Sequence, residues 1–220
     1  MAEQIWSDVE RYINELVVHP DAVLDAVLDA AAAAGLPQIS VTAGEGKLLH
    51  LLALIRGANR ILEIGTLAAY STIWLARALP RGGKLVTLES DPAHAAVARA
   101  NIARAGLGDI VDLRLGMAAD TLPVLAREGQ KFDLTFIDAD KATIPHYFEW
   151  AMRLSNPGAL IIVDNVIRDG KVIDEASEDA SIRGVRRFNE MLSAEKRVSA
   201  TTIQTVGSKG YDGFTLAVLR

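Results

Sequence analysis

Residues 60–71, which read RILEIGTLAAYS, decide the fold of this 220-residue chain. The run from Ile61 to Ile64 is short and mostly apolar, Gly65 follows it directly, and a helical pattern opens near Ser71. A strand, a glycine turn and a helix in this order begin the units of nucleotide-binding α/β proteins. Gly65 lets a ligand approach the backbone because it has no Cβ atom. The stretch therefore predicts a ligand site at the end of the first strand.

Glu63 is an unusual residue within this strand, since a carboxylate in a core strand is costly unless it is paired. One interpretation is that Glu63 accepts a hydrogen bond from a cationic ligand, such as the ammonium group of an amino acid. The alternative is an ordinary solvated strand end.

Composition limits the class of protein. Half of the residues are apolar, cysteine is absent and the net charge is −5, so we expect one domain over residues 1–220, no disulfide, and no electrostatic preference for nucleic acid. No apolar run reaches the ~20 residues of a membrane span. The first residues, MAEQIWSDVERY, lack the pattern of a signal peptide, and we therefore expect a cytoplasmic protein without a membrane partner.

The chain divides into a helical lead-in over residues 1–57 and an α/β core over residues 58–220. The lead-in begins with a predicted helix over 7–17, for which Ser7 and Glu10 have the spacing of a capping box. These helices cover a substrate pocket or form a dimer face, and the sequence leaves both open. The core predicts a doubly wound, Rossmann-like sheet of seven strands that is mostly parallel, with helices on both faces and an antiparallel last strand.

Acidic and amide side chains follow two consecutive strand patterns. Asp138 and Asp140 end one strand, and Asp164 and Asn165 end the next. The carboxyl ends of neighbouring parallel strands lie about 4.8 Å apart, so these side chains can converge. Asp138, Asp164 and Asn165 would then offer three oxygen ligands to a hard cation such as Mg²⁺ or Ca²⁺. The alternative is that these residues are solvated acids that cap the following helices.

Three further polar residues are candidates for the site. Glu89 ends the second strand a little over 20 residues after the glycine turn, where nucleotide folds hold ribose hydroxyls. Lys141 lies beside the proposed cation and can act as a general base, although a plain salt bridge to Asp138 or Asp140 is the alternative. His146 is a possible second base, but its place in the next helix favours a structural role.

Taken together, these motifs resemble the class I S-adenosylmethionine-dependent methyltransferases. More narrowly, they resemble the cation-dependent O-methyltransferases related to the catechol and caffeoyl-CoA enzymes. The resemblance extends from Val41 to the C-terminus, and its strongest parts are LEIGTLAAYS, TLES, FDLTFIDADK and GALIIVDNV. The DADK and DN motifs at this spacing are specific, whereas the single glycine turn is not.

The resemblance implies a role for each matching residue. It makes Asp138, Asp164 and Asn165 the metal ligands and Lys141 the catalytic lysine. The cofactor contacts that it implies are Val41, Glu63, Gly65, Thr66, Ser71, Glu89, Ala118 and Asp140. Mg²⁺ is the expected cation, with Ca²⁺ or Mn²⁺ as the other possibilities, and a homodimer is the expected assembly.

Three positions depart from the family pattern. Ala69 stands where a glycine is frequent, Ile144 replaces a tyrosine of the plant members, and Thr215 stands where the animal catechol enzymes have a glutamate. These differences bear on the substrate more than on the reaction.

The implied activity is methyl transfer from S-adenosylmethionine to a hydroxyl of a catechol-type phenol or a related small molecule with vicinal oxygens. A tRNA hydroxyuridine O-methyltransferase is a second interpretation, which a basic surface around the pocket would favour. A non-catalytic nucleotide-binding or scaffold protein is a third. The presence of Asp138, Lys141, Asp164 and Asn165 argues against this last one.

Overall fold

The computed structural model describes residues 2–220 as a three-layer α/β domain around one seven-stranded sheet. The strands are β1 (Arg60–Ile64), β2 (Lys84–Glu89), β3 (Val111–Leu115), β4 (Phe132–Ile137), β5 (Ser155–Asp164), β6 (Val198–Gly207) and β7 (Gly210–Leu219). The helices are α1 (Ala2–Ile13), α2 (Ala22–Ala33), α3 (Ala43–Arg56), α4 (Tyr70–Ala76), α5 (Pro92–Arg104), α6 (Ala118–Arg127), α7 (Ile144–Leu154) and α8 (Ala180–Ala194). Within the part of the chain so described, no helix combines the length and the apolarity that crossing a bilayer requires.

The strand order in the sheet is β3-β2-β1-β4-β5-β7-β6, and β7 runs antiparallel to both of its neighbours. The chain leaves β1 toward β3 and returns to β4 on the other side of β1, so the crevice at the carboxyl ends of β1 and β4 is the switch point where such folds bind ligands. This architecture confirms the predicted Rossmann-like sheet with its antiparallel last strand.

Apolar side chains on both faces of the sheet explain why it is covered on both sides. Successive residues of β1 point to opposite faces, so Ile61 packs into the core that contains helices α2 to α5 and Leu62 packs into the core of α6 to α8. Both side chains are fully buried. A buried parallel strand of this kind requires helices on either face.

The N-terminal helix differs from its prediction. It begins by Ala2 and continues after Ile13 into a π-helical turn, Asn14–Val18. Ser7 therefore lies inside the helix, and its hydroxyl donates to the carbonyl of Glu3. Glu10 caps nothing locally, because its carboxylate accepts the backbone N–H of Ser208 in the turn between β6 and β7 at 2.5 Å. The predicted capping box is wrong because the helix begins before Ser7, which therefore cannot be its N-cap, and because Glu10 binds a distant partner.

Glu63 joins β1 to the two elements beside it. Its carboxylate is fully buried and accepts hydrogen bonds from the hydroxyls of Ser71 and Thr72 in α4 and of Thr87 in β2. Burial raises the pKa of Glu63 to about 7 even though the three hydroxyls oppose the shift. The interpretation of Glu63 as a solvated strand end is therefore wrong.

The raised pKa makes stability depend on pH. The folded chain retains a proton on Glu63 that the unfolded chain releases above its ordinary pKa of 4.5, so this contribution is complete below pH 4.5 and is lost as the pH rises through about 7. Glu63→Gln cannot ionise. We expect the free energy of unfolding of this variant, relative to that of the wild type, to increase by up to about 3 kcal/mol from pH 4.5 to pH 8, as measured by urea unfolding.

Glu190→Gln is the matched control, because Glu190 is exposed on α8 and should give the same small difference at both pH values. A Glu63→Gln effect that does not change with pH would contradict an ionisable buried carboxyl.

Candidate active site

The glycine turn after β1 brings the backbone of two strands into contact. Gly65 has a φ of +100°, and a Cβ atom on it would lie 2.1 Å from the carbonyl oxygen of Asp138 at the end of β4. The N–H of Asp138 donates to the carbonyl of Ile64 at 2.9 Å. Only glycine fits here, since both the positive φ and the close approach exclude a side chain.

The carboxylate of Glu89 organises the turn from the end of β2. One of its oxygens accepts the N–H groups of Thr66 and Leu67 at 3.3 and 2.8 Å, and the other accepts those of Ser90 and Asp91 at 2.9 Å each. Glu89 is almost completely buried but still lines the cavity in front of the turn. It thus fixes the backbone on which a ligand would rest.

A cavity of about 690 Å³ opens in front of these strand ends. The expected cofactor residues among its lining are Val41, Gly65, Thr66, Ser71, Glu89 and Asp140, and Asp138, Lys141 and Asn165 line it as well. Two expected cofactor residues, Glu63 and Ala118, are buried and do not line it. Glu63 reaches the cavity only through Ser71, which donates to it at 2.7 Å.

The acidic strand ends converge as predicted from the sheet. The β4–β5 register pairs Ile137 with Val163, so Asp138 and Asp164 follow on adjacent strands. Asn165 comes next with a φ of +57°, and its N–H donates to the Asp164 carboxylate at 2.8 Å. Burial and the charge of Asp138 raise the pKa of Asp164 to about 8. Two carboxylates therefore repel each other in a partly dry site.

The donor set fits a hard divalent cation. It consists of two carboxylates and one amide, all oxygen donors, and the unfavourable proximity of Asp138 and Asp164 is what a cation would relieve. Across residues 2–220 no group of three or more Asp, Glu, His or Cys side chains is arranged to hold a metal. Asn165 is therefore essential to the proposed set, and the remaining ligands would have to come from water or substrate.

Lys141 lines the cavity and pairs with Asp138, its Nζ donating to Oδ1 at 2.7 Å. Its side chain is only 10% exposed. Asp140 shapes the turn around it by accepting the N–H of Thr143 at 3.0 Å and the hydroxyl of Tyr147 at 2.6 Å. Burial and the Asp140 carboxylate raise the pKa of the Tyr147 phenol, so this hydroxyl stays a donor. The salt bridge from Lys141 to Asp138, which was one of the two interpretations of this lysine, is therefore present in the structure.

Sequence reasoning missed Gly184, which determines where Lys141 sits. A Cβ atom at this position of α8 would lie 2.2 Å from the carbonyl oxygen of Lys141. A glycine within a helical sequence pattern is the signal that could have indicated a close backbone contact. His146, by contrast, is exposed on α7, accepts the indole N–H of Trp150 at 3.2 Å, and does not line the cavity.

A second cavity of about 400 Å³ adjoins the first and shares with it Ile39, Ser40, Val41, Asn165 and Lys209. Asp164 and Asn165 lie in its lining. Its apolar residues are Ile5, Trp6, Val9 and Ile13 of α1, Ile39 and Val41 of the loop before α3, and Val206 of β6. The opposite side is the tip of the β6–β7 hairpin. This arrangement offers an apolar slot that ends at the acidic strand ends.

Comparison with known proteins identifies the family. The O-methyltransferase family model matches residues 14–219. A catechol O-methyltransferase of Niastella koreensis is 54% identical over 221 residues, which cover both chains completely.

Two solved structures agree with this assignment. The O-methyltransferase of Bacillus cereus in complex with S-adenosylhomocysteine is 53% identical with a TM-score of 0.97, over 99% of each chain. An O-methyltransferase of Streptomyces achromogenes involved in tomaymycin synthesis, in complex with S-adenosylmethionine, is 50% identical with a TM-score of 0.97, over 100% of this chain and 99% of that one. The resemblance read from the motifs is thereby confirmed, and this chain is an enzyme that belongs to the class I S-adenosylmethionine-dependent O-methyltransferase family.

Proposed function

We propose that this enzyme transfers the methyl group of S-adenosylmethionine to one hydroxyl of a catechol-type phenol, or of a related small molecule with vicinal oxygens, and that it requires a divalent cation. The observation that carries the proposal is the meeting of the glycine turn with Asp138, Lys141 and Asn165 in one cavity. The relative named catechol O-methyltransferase supports the same class of acceptor.

The shape of the second cavity supports a small aromatic acceptor over an RNA. Its walls near Asp164 are apolar side chains such as Trp6, Val9 and Ile39. Apolar walls with a few polar groups at one end suit a ring that carries hydroxyls at one edge. An RNA acceptor would call for a basic rim, whereas the charged residues of this lining are Glu10, Glu45, Asp164, Asp212 and the single cation Lys209.

The cofactor contacts proposed for the donor side are Val41, Gly65, Thr66, Ser71, Glu89 and Asp140, all of which line the cavity. Ala118 is proposed on the family resemblance alone, because it is buried and does not line this cavity. Glu63 is proposed to act through Ser71, since it accepts that hydroxyl and is shielded from the cavity. Positioning is the main task of these groups, because holding donor and acceptor together makes a bimolecular step effectively unimolecular.

The residues proposed to hold the cation are Asp138, Asp164 and Asn165, and Mg²⁺ suits their oxygens best, with Ca²⁺ or Mn²⁺ as substitutes. A bound cation would supply Lewis acidity that lowers the pKa of the acceptor hydroxyl. Lys141, in its neutral form, accepts the phenolic proton at Nζ. The phenolate oxygen then bonds to the sulfonium methyl carbon, the carbon–sulfur bond breaks, and S-adenosylhomocysteine leaves with the electron pair on sulfur.

Removal of the cation should abolish turnover. We expect excess chelator to stop methylation of catechol, Mg²⁺ to restore it, and Asp164→Asn to lose it because the site loses one of two charges. Asp169→Asn is the matched control, since Asp169 is an exposed acid in the same loop. Binding of S-adenosylmethionine, measured by calorimetry, should survive in both variants. Full activity in chelator, with no metal found by elemental analysis, would leave a metal-independent methyltransferase.

Replacement of Lys141 should lower the rate of methyl transfer without preventing the binding of cofactor or cation. Lys141→Met should lower kcat by about 10²–10⁴-fold, the usual effect of losing a general base. The defect should shrink as the pH rises, because the acceptor hydroxyl then ionises without help. Lys171→Met, an exposed lysine outside the cavity, is the control. A Lys141→Met defect that is the same at every pH would argue for a role in positioning only.

We also propose that the enzyme is a homodimer. Helix α3 exposes Leu51, Leu54 and Ile55, the last with 81% of its surface, and β6 exposes Ile203 and Val206. Exposed apolar side chains in groups mark association surfaces, and two-fold dimers are the commonest symmetric oligomers. Light scattering at micromolar concentration should give twice the monomer mass, and a monomer mass there would end this proposal.

A further inference from the structure

Arg168 is a cation in the wall of the first, 690 Å³ cavity, and neither the fold nor the transfer chemistry uses it. It lies three residues after Asn165 and lines the same cavity as Asn165 and Lys141. Among the described residues its guanidinium makes no hydrogen bond and no ion pair, and its Nε is buried without a partner. By contrast, Arg186 on α8 donates to the Val172 carbonyl at 2.8 Å. A buried donor without a partner is rare and calls for a ligand or water.

The backbone holds Arg168 in an unfavourable conformation. Arg168 has a φ of +56° and Asp169 a φ of +55°, both in the left-handed region that L-residues seldom adopt. The Asp212 carboxylate accepts the N–H groups of Ile167 and Arg168 at 3.0 Å each, and the N–H of Asp169 donates to the Tyr211 carbonyl at 3.1 Å. Such strain persists only where the surroundings enforce it, and it clusters at ligand sites.

Other charges near the cavity do not account for this guanidinium. The charge of Arg168 helps to lower the pKa of Asp179, but Asp179 is exposed and the two side chains form no ion pair. Lys209, the cation on the hairpin tip, faces Glu10, Glu45, Asp138 and Asp164 and so offsets acids of the site. Within residues 2–220, Arg168 is thus a positive group of the cavity wall with which no carboxylate forms an ion pair.

We propose that Arg168 binds a carboxylate of the methyl acceptor, so that the preferred acceptor is a catechol-type phenol that carries a carboxylate. This inference rests on the proposed function. The planar guanidinium matches a carboxylate with two parallel hydrogen bonds, and in a partly dry cavity such a pair is stronger than in water. Arg168 and Asn165 belong to one short loop, which would join recognition of the acid to recognition of the diol.

The test compares two acceptors that differ only in charge, 3,4-dihydroxyphenylacetate and its amide. A methylene group separates the acid from the ring, so the two phenols have closely similar acidities. The wild type should show a kcat/KM at least tenfold higher for the acid, mainly through KM. Arg168→Gln should lower the acid-to-amide ratio by about 10- to 100-fold, as expected for a hydrogen bond to a charged group. Lys171→Gln, an exposed cation three residues later, should leave the ratio unchanged.

Each other outcome counts against the inference. A wild-type ratio near one overturns it whether or not the variant folds. An equal loss for both acceptors with a raised KM for S-adenosylmethionine would place Arg168 at the cofactor carboxylate. Methylation of the amide alone would leave the proposed function standing while this inference fails. If neither acceptor is methylated, both fail.

Discussion

The contact between Gly65 and the backbone of Asp138 is the constraint on which the site depends. Because Gly65 has no Cβ atom, the end of β1 can lie directly against the end of β4, and residues from both strand ends line one cavity. Asp138 in turn pairs with Lys141, and α8 approaches the Lys141 carbonyl through a second glycine, Gly184. The position of the lysine is therefore set by backbone contacts on both sides, not by its own flexible side chain.

The carboxylates of the site differ in what satisfies them, and this difference separates their roles. Glu63 is surrounded by hydroxyls, and Glu89 accepts four backbone N–H groups. Both are structural supports for the glycine turn. Asp138 accepts a hydrogen bond from Lys141, whereas the half-buried Asp164 accepts one from the N–H of Asn165 and, within residues 2–220, from no other donor. Asp138 and Asp164 therefore place two carboxyl groups close together, and a cationic ligand would favour the ionised form of both.

The sequence was sufficient for the sheet and for the convergence of its acidic ends. Strand β1 is found where the mostly apolar run from Ile61 to Ile64 predicts it, because a parallel strand that is buried on both faces needs apolar residues on both of them. Convergence of Asp138 and Asp164 follows from parallel pairing alone. The surroundings of Glu63 could not be predicted from the sequence. A carboxylate in a strand gives the same sequence pattern whether it faces a ligand or, as here, three hydroxyls. Glu10 was misread for the same reason, because its partner lies 198 residues away.

The apolar slot ends at Asp164 and Asn165, but most of its wall comes from elements other than the strands that carry the transfer chemistry. Helix α1, the loop before α3 and the hairpin tip form it, and the hydrogen bond from Ser208 to Glu10 ties the first of these to the last. Strands β1, β2, β4 and β5 carry the reacting groups and are fixed by the sheet. During evolution the residues of the slot can therefore be replaced, which changes the acceptor, while the residues for methyl transfer stay the same.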